Sequence, residues 1–286
     1  MESSTLARNH RANVETGIGM RSPRRGTFSY RAVVPLVTLL CLAVRASPVR
    51  AQRAQIVVVA GADSGDPRFA SLERGLTLGI DEATRTARLF GVALRVLPAD
   101  GLAADSVGIA RMAAWILAGD ARRCDAVRAR LRGAAVAIVD AGCRVTDEPL
   151  AAEVRIHPSP TDSAAAVREG RDSTARVLLW HASLARFGAD QLNDRFRRRF
   201  GVDMDSDAWA AWAAVKIATE ACLRARQRGV ATAAVLLDPG EAFDAHKGAP
   251  LRFDPATRRL VQPLYALTTA GASSVIREIA PPLREQ

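Results

Sequence analysis

Several residue types that most catalytic and metal sites depend on are scarce in this 286-residue chain: it holds four cysteines, four histidines, two tyrosines, and Lys216 and Lys247 as its only lysines. No CxxC or HxxxH spacing is present, which argues against a metal centre. A glycine-rich phosphate loop, a nucleophile elbow and the paired histidines of a metallohydrolase are also missing, so the reading is a non-enzyme that needs no cofactor. Aromatics are only 5% of the residues. The formal charge of +10 is misleading, because the first 51 residues hold eight arginines against two glutamates and leave the body at +4. A nucleic-acid binder would concentrate basic residues with interleaved aromatics in its body, so that class is excluded. The one basic run, Arg195, Arg197, Arg198 and Arg199, interrupts the stripe Ala189, Leu192, Phe196 and Phe200, and reads as the wet face of a helix.

What is present is enough apolar residue, 49%, to build a substantial core. Residues 1–51 read as an export leader. Arg21, Arg24, Arg25 and Arg31 precede the uncharged run Ala32 to Val44, and the chain turns polar up to Ala51. That run has 13 residues, short of the ~20 that span a bilayer, and Pro35 interrupts it, so a cleaved signal peptide is expected rather than an anchor. The expected cut follows Ala51, with Met20 an alternative start. Leu40 before Cys41 is too bulky for a lipoprotein site, and Arg24-Arg25 lacks a twin-arginine context. The mature chain would then be periplasmic or secreted, with no stable membrane span.

From Gln55 onward, apolar runs alternate with helical patterns, the rhythm of a parallel sheet covered by helices. Strands are expected at Ile56 to Ala60, Val92 to Leu97, Ala134 to Val139, Glu153 to His157 and Arg176 to Trp180. Leu72, Gly75, Leu76, Gly79, Ile80, Ala83 and Ala87 share a helical face, and the two glycines suggest that this helix lies close on the sheet. Ile109, Met112, Ala113, Ile116 and Leu117 follow helical spacing and predict an amphipathic helix, with a shorter one ending near Gly133. Pro158 to Thr174 is a thin polar stretch. Ser206 is expected to cap a helix running to about Arg228, and the tail, punctuated by Gly248, Pro250, Pro255 and Pro263, reads as a small hairpin addition.

In open parallel sheets, ligands sit beyond the carboxyl ends of the strands. Those ends carry Asp63 and Ser64, Asp100, Asp140 and Cys143, His157 with Ser159 and Thr161, and His181. The chemistry expected there is hydrogen bonding to a small polar ligand through hydroxyl and backbone groups. Trp209 and Trp212 are three apart on an alanine-rich helix, for which packing is the plain explanation and ligand stacking the sharper one. Cys124 and Cys143 are a possible disulfide in an oxidising compartment, with Cys222 the odd thiol. If Cys124 opens the helix before the Ala134 strand, the two share a rim; if Asp105 to Leu131 is one helix, they cannot meet.

Three stretches carry a family resemblance: WHASLARFGADQLNDRF from Trp180, MDSDAWAAWAAVKIATEA from Met204 and FDAHKGAPLRFDPATRRLVQPLYAL from Phe243. They resemble the type I periplasmic substrate-binding proteins, of the leucine/isoleucine/valine-binding kind that serves ATP-binding-cassette importers. The nearest flavour is the branch associated with pyrroloquinoline-quinone-dependent alcohol dehydrogenase systems. The resemblance implies an α/β fold of two Rossmann-like lobes joined by a hinge, with the ligand enclosed between them. Between Pro160 and Ala175, where most of a second lobe would stand, this chain has some fourteen residues. The expected architecture is therefore one full lobe (core 55–163), a reduced second lobe with crossing helices (164–229) and a hairpin addition (230–286). The expected role is the solute-binding component of an importer, with an ABC permease as partner and Asp63, Ser64, Ser159, Thr161 and His181 as ligand contacts. The alternative is a degenerate accessory module of an exported dehydrogenase.

Overall fold

The computed structural model describes residues 52–61, 66–98, 112–143, 148–169, 175–270 and 273–279. The leader, Asp63, Ser64 and Asp100 lie outside them.

Five strands form a parallel sheet in the order β2-β1-β3-β4-β5: β1 (Gln52–Gly61), β2 (Val92–Pro98), β3 (Ala114–Gly119), β4 (Ala137–Asp140) and β5 (Glu153–Arg155). The central strand corrects the expected helix around Met112 to Leu117. All six residues of Ala114–Gly119 are buried, with Ala114, Ile116 and Ala118 in one core layer and Trp115 and Leu117 in the other. A strand covered on both faces has no polar side to alternate, so its continuous apolar run matches helical spacing by coincidence.

One sheet face is covered by α1 (Pro67–Leu89) and α5 (Ser206–Arg228); the other packs on α2 (Ala121–Leu131). The glycines of α1 do not serve approach to the sheet, as the sequence suggested, but approach to α5. A Cβ on Gly75 would stand 2.0 Å from the Ala208 carbonyl oxygen, and one on Gly79 would stand 3.0 Å from the Val215 Cβ. α5 suits this position because 15 of its 23 residues are buried, many of them alanine, so helices can pack on it from more than one side. Its N-cap is Asp205, which accepts from the Ala208 N–H at 2.9 Å, and not Ser206 as expected. The Ser206 hydroxyl instead accepts from the backbone N–H groups of Leu179 (3.0 Å) and Trp180 (3.3 Å).

The stretch after Pro158 is more than a polar connection, since Pro160–Glu169 forms α3. Proline opens it, and the Ser159 carbonyl accepts from the Ser163 N–H at 3.0 Å. Then β6 (Arg176–Leu178) pairs antiparallel with β9 (Leu264–Ala270), which pairs with β10 (Ser273–Ile279) in a second sheet ordered β10-β9-β6. Between these run α4 (Ala189–Phe200), α5, α6 (Thr232–Leu237) and the short hairpin of β7 (Arg252–Phe253) and β8 (Leu260–Val261). On α4 the expected faces hold in the main: Ala189, Leu192 and Phe196 are buried and Arg197, Arg198 and Arg199 exposed, while Phe200 is only half-buried and Arg195 is half-buried against Glu82.

The tail is integral to the fold. Arg259 bridges to Arg155 at the edge of the main sheet, and Gln262 donates to the Ile156 carbonyl at 2.6 Å. The Gln262 Oε1 in turn accepts at 2.7 Å from the buried Nζ of Lys247, which also donates to the Pro263 carbonyl and lies 4.1 Å from the centre of the Trp209 ring. Burial holds the Lys247 amine well below the usual lysine range, against a smaller opposing pull from Glu278. Lys247 thus fills a structural role, its buried amine taken up by Gln262, Pro263 and Trp209. Trp209 stacks on Trp180 at 5.8 Å and donates to the Ala245 carbonyl, and Trp212 stacks on His246 and donates to Glu82. Both tryptophans are core residues.

Candidate functional site

The strand ends gather around the loop after β4. Asp140 closes that strand, and its Oδ1 accepts from the backbone N–H groups of Gly142 (3.0 Å) and Cys143 (2.8 Å). Burial raises the Asp140 pKa above the usual aspartate value, with the Glu153 charge adding to it; the two backbone donors and Arg155 pull the other way. Glu153 is itself buried between Arg128 and Arg155, so this layer beneath the rim is a closed ionic network.

Three more of the loop's backbone groups are also taken. The Ala141 N–H reaches the Leu117 carbonyl at 2.9 Å, the Ala141 carbonyl accepts from His157 Nε2 at 2.7 Å, and the Gly142 carbonyl accepts from Arg68. A carbonyl only accepts, so Nε2 is the donor in this contact. Gly142 is demanded by close approach of α1, because a Cβ there would stand 2.8 Å from the Leu72 side chain. The N–H groups of Ala141, Gly142 and Cys143 and the carbonyls of Ala141 and Gly142 are thus engaged within the protein, which leaves side chains as this loop's means of contacting a ligand.

Arg68 is the central side chain of the rim, and sequence reasoning missed it. It stands in the first turn of α1, whose N-cap Asp66 accepts from the Arg68 N–H at 2.9 Å. Its guanidinium is held by the Gly142 carbonyl and, at 3.2 Å from Nε, by Asp207 in the first turn of α5. One turn further along α1, Ser71 donates to Asp205 at 2.5 Å. These pairs cross more than 130 residues of sequence, which is why no local pattern discloses them.

Cys124 lies in the first turn of α2, after the N-cap Asp120, and forms a disulfide with Cys143 across a Cα separation of 6.0 Å. The condition that the sequence set is met, because β3 ends at Gly119 and the helix begins at Ala121. Cys222 is a free, buried thiol whose pKa is raised by burial.

Of the other expected ligand residues, Ser159 and Thr161 start α3 two and four residues beyond His157, with Thr161 exposed. His181 follows β6 and engages its own loop: its Nδ1 accepts from the Ser183 N–H at 3.1 Å and meets the Ser183 hydroxyl at 2.9 Å. The structure thus brings His157, Arg68 and the disulfide to one loop, while His181 belongs to the end of the second sheet. Among the described residues, no group of three or more histidine, cysteine or acidic side chains is arranged to hold a metal ion.

Solved structures with this arrangement carry one description in common. A substrate-binding protein of an ABC transporter from Sphaerobacter thermophilus superposes with a TM-score of 0.57 over 80% of this chain and 98% of its own, at 10% identity. A leucine-binding protein LivK from Thermotoga maritima gives 0.54 over 80% and 99%, at 9% identity. A solute-binding protein from Rhodopseudomonas palustris in complex with 4-hydroxybenzoate gives 0.52 over 80% and 96%, at 8% identity. The fold is that of the type I periplasmic binding proteins. At such identity the likeness establishes architecture. No family model and no curated protein matches the sequence. Among the described residues, the parallel sheet has five strands and the second sheet only three, antiparallel, consistent with one full lobe and a reduced second one. No helix among the described residues is long and apolar enough to cross a membrane.

Proposed function

We propose that this protein is an extracytoplasmic solute-binding protein that holds a small polar or organic ligand at the strand-end rim and serves an ABC-type importer. One observation carries the reading: in a fold used by solute-binding proteins, the strand-end rim has a guanidinium fixed in place by an aspartate and a loop carbonyl. Two of the five Arg68 N–H groups are engaged in this way, and a planar fork held at one edge suits a carboxylate at the other. Ser159 and Thr161 then supply hydroxyls and His157 a ring nitrogen, with Asp63 and Ser64 as further contacts. The solved relatives named for leucine or holding 4-hydroxybenzoate concern molecules that bear a carboxylate, which supports an organic acid or amino acid as the class.

With a reduced second lobe, the ligand keeps one side wet, so each hydrogen bond is worth the ordinary net ~0.5 to 1.5 kcal/mol and the expected affinity is micromolar or weaker. The test is a thermal-shift screen of the purified protein against amino acids, organic acids, alcohols and aldehydes, followed by scattering with the best hit. A carboxylate that raises the melting temperature, loses its effect in Arg68→Gln and produces no compaction is expected. If no compound in the screen stabilises the protein, the solute-binding reading fails.

A further inference from the structure

The loop that holds Arg68 is itself held from the far side by a covalent bond. Cys143 follows Gly142, whose carbonyl accepts from the Arg68 guanidinium, and its sulfur is bonded to Cys124 in the first turn of α2. Arg68 and Cys124 therefore reach one short loop from opposite faces of the main sheet, since α1 packs on one face and α2 on the other. Within the folded sheet the bridge adds little, because β3 and β4 already pair from Ala114 with Ala137 to Leu117 with Asp140. What it fixes lies beyond the last of those pairs, at the loop residues 142 and 143.

The anchor on the α2 side is rigid. Asp120 caps that helix by accepting from the Arg123 N–H at 2.8 Å, the Cys124 N–H reaches the Asp120 carbonyl at 3.0 Å, and Val127 and Leu131 are buried in the layer that also holds Trp115 and Ile138. The loop's other ties are hydrogen bonds, from the Ala141 N–H to Leu117 and from the Gly142 and Cys143 N–H groups to Asp140. A hydrogen bond survives tenths of an ångström and some tens of degrees of movement. The bridge does not allow that freedom, and it holds Cys143 at a Cα separation of 6.0 Å from the helix. Cys124 is fully buried and Cys143 nearly so, which shields the bridge from passing thiols.

Arg68 depends on this loop for half of its fixing. Asp207 of α5 holds Nε at 3.2 Å, and the Gly142 carbonyl holds the end of the fork. Without the second contact the guanidinium pivots about Nε, and a ligand that needs the fork in one plane must order it again on binding. Ordering one long side chain corresponds to a loss of roughly three- to tenfold in affinity.

We infer that Cys124 and Cys143 are positioning residues of the rim: their bridge fixes the Gly142 carbonyl that orients Arg68, so the rim is fully formed only in the oxidised chain, an inference that rests on the proposed solute-binding role of that rim. The first measurement needs no ligand. The parent and Cys124→Ala/Cys143→Ala are treated with phenylglyoxal, which modifies guanidinium groups, well below their melting temperatures. Peptide mass spectrometry then compares Arg68 with Arg252, which is exposed on β7. The ratio of Arg68 to Arg252 modification should rise about threefold or more in the variant, as the fork loses its second hold. Should the variant fold poorly, parent protein reduced with dithiothreitol and freed of it under argon gives the same comparison; two electrons and two protons pass to the bridge, leaving two thiols, while the reagent closes to a cyclic disulfide. The second measurement is the affinity for benzoate by ligand-observed NMR, which should fall roughly three- to tenfold when the bridge is opened and return on reoxidation. An unchanged modification ratio, or a rise shared by all arginines, means that the bridge acts on global stability alone and overturns the inference. Benzoate affinity that is the same with the bridge open overturns it as well. A parent that does not bind benzoate counts against the proposed rim ligand, and the arginine ratio then decides the positioning role by itself.

Discussion

Gly75→Ala separates two opposed effects by sign. In an exposed helix the change would stabilise by about 1 kcal/mol, because alanine has the better helix propensity. Here the added methyl would stand 2.0 Å from the Ala208 carbonyl oxygen and 2.8 Å from its carbonyl carbon. Both are backbone atoms, so no rotamer change relieves the clash, and α1 and α5 must move apart by more than an ångström, roughly, to restore ordinary contact. Overpacking costs about 1–3 kcal/mol, and a clash of backbone on backbone belongs at the top of that range, so the net loss is about 2 kcal/mol. At Gly79 the nearest atom is the Val215 Cβ at 3.0 Å, a gap that a few tenths of an ångström repairs, so Gly79→Ala should be close to neutral. Urea unfolding of both variants beside the parent measures this, as a shift in midpoint at constant m-value. The separation should also break the Arg68–Asp207 pair one to two turns away, and with it the proposed ligand stabilisation at the rim. If Gly75→Ala equals the parent in stability, or Gly79→Ala is the worse of the two, the close-packing account of α1 and α5 is wrong.

Asp140→Asn keeps an acceptor for the Gly142 and Cys143 N–H groups while removing a buried charge. Because the folded pKa is raised, the parent loses stability as pH rises through the window from the unfolded aspartate value near 3.8 to the raised folded value, and the variant should lack that loss in pH-dependent melting curves and be no less stable at pH 7. The Cys124–Cys143 bridge closes a separation of 19 residues, for which loop-closure entropy gives about 3 kcal/mol; the double serine variant, or added reductant, should lower the urea midpoint accordingly, and an unchanged midpoint would count against the bridge. Lys247 has a folded pKa below its unfolded value, so the folded state binds fewer protons and stability should rise with pH up to the unfolded lysine value of 10.5; Lys247→Met should remove that rise while leaving the Gln262 and Pro263 oxygens without a donor, at a cost of about 1–3 kcal/mol at high pH, read by denaturant unfolding at pH 7 and 9.5.

Alternation of apolar runs and amphipathic segments was enough to disclose the parallel sheet, the α1 face and the strand ends, since each depends on local periodicity. β3 escaped because burial on both faces erases the polar half of the pattern; the length of Ala114–Gly119 and the Asp120 that follows were the better guides. α3 escaped because its alanines carry little hydrophobic signal, although Pro160 at the start and the run Ala164 to Ala166 favour a helix. The small residues at 75 and 79 signalled close approach, but the partner lay some 130 residues away, and sequence spacing does not say which element a smooth face meets. The rim divides along the same line. Asp140, Cys143 and His157 are legible as strand ends, while Arg68 becomes a candidate only when α5 brings Asp207 to it.

Saturation of the β4 loop sets how the rim can select a ligand. A binding loop with open N–H and carbonyl groups reads a ligand by backbone geometry, which is rigid and indifferent to side-chain identity. Here Asp140, Arg68 and His157 occupy those groups, so selection passes to side-chain termini that water also reaches. Shape then discriminates weakly and charge more strongly, because an anion gains from the guanidinium even in partial contact with water, whereas a neutral hydroxyl merely exchanges one hydrogen bond for another. Asp207 lowers that gain by neutralising Arg68 in part, and in doing so it holds the fork in one orientation before any ligand arrives. Under the proposed function, the exchange would favour specificity for planar carboxylates over affinity, and it would tie recognition to the register of α1 against α5, the contact that Gly75 permits.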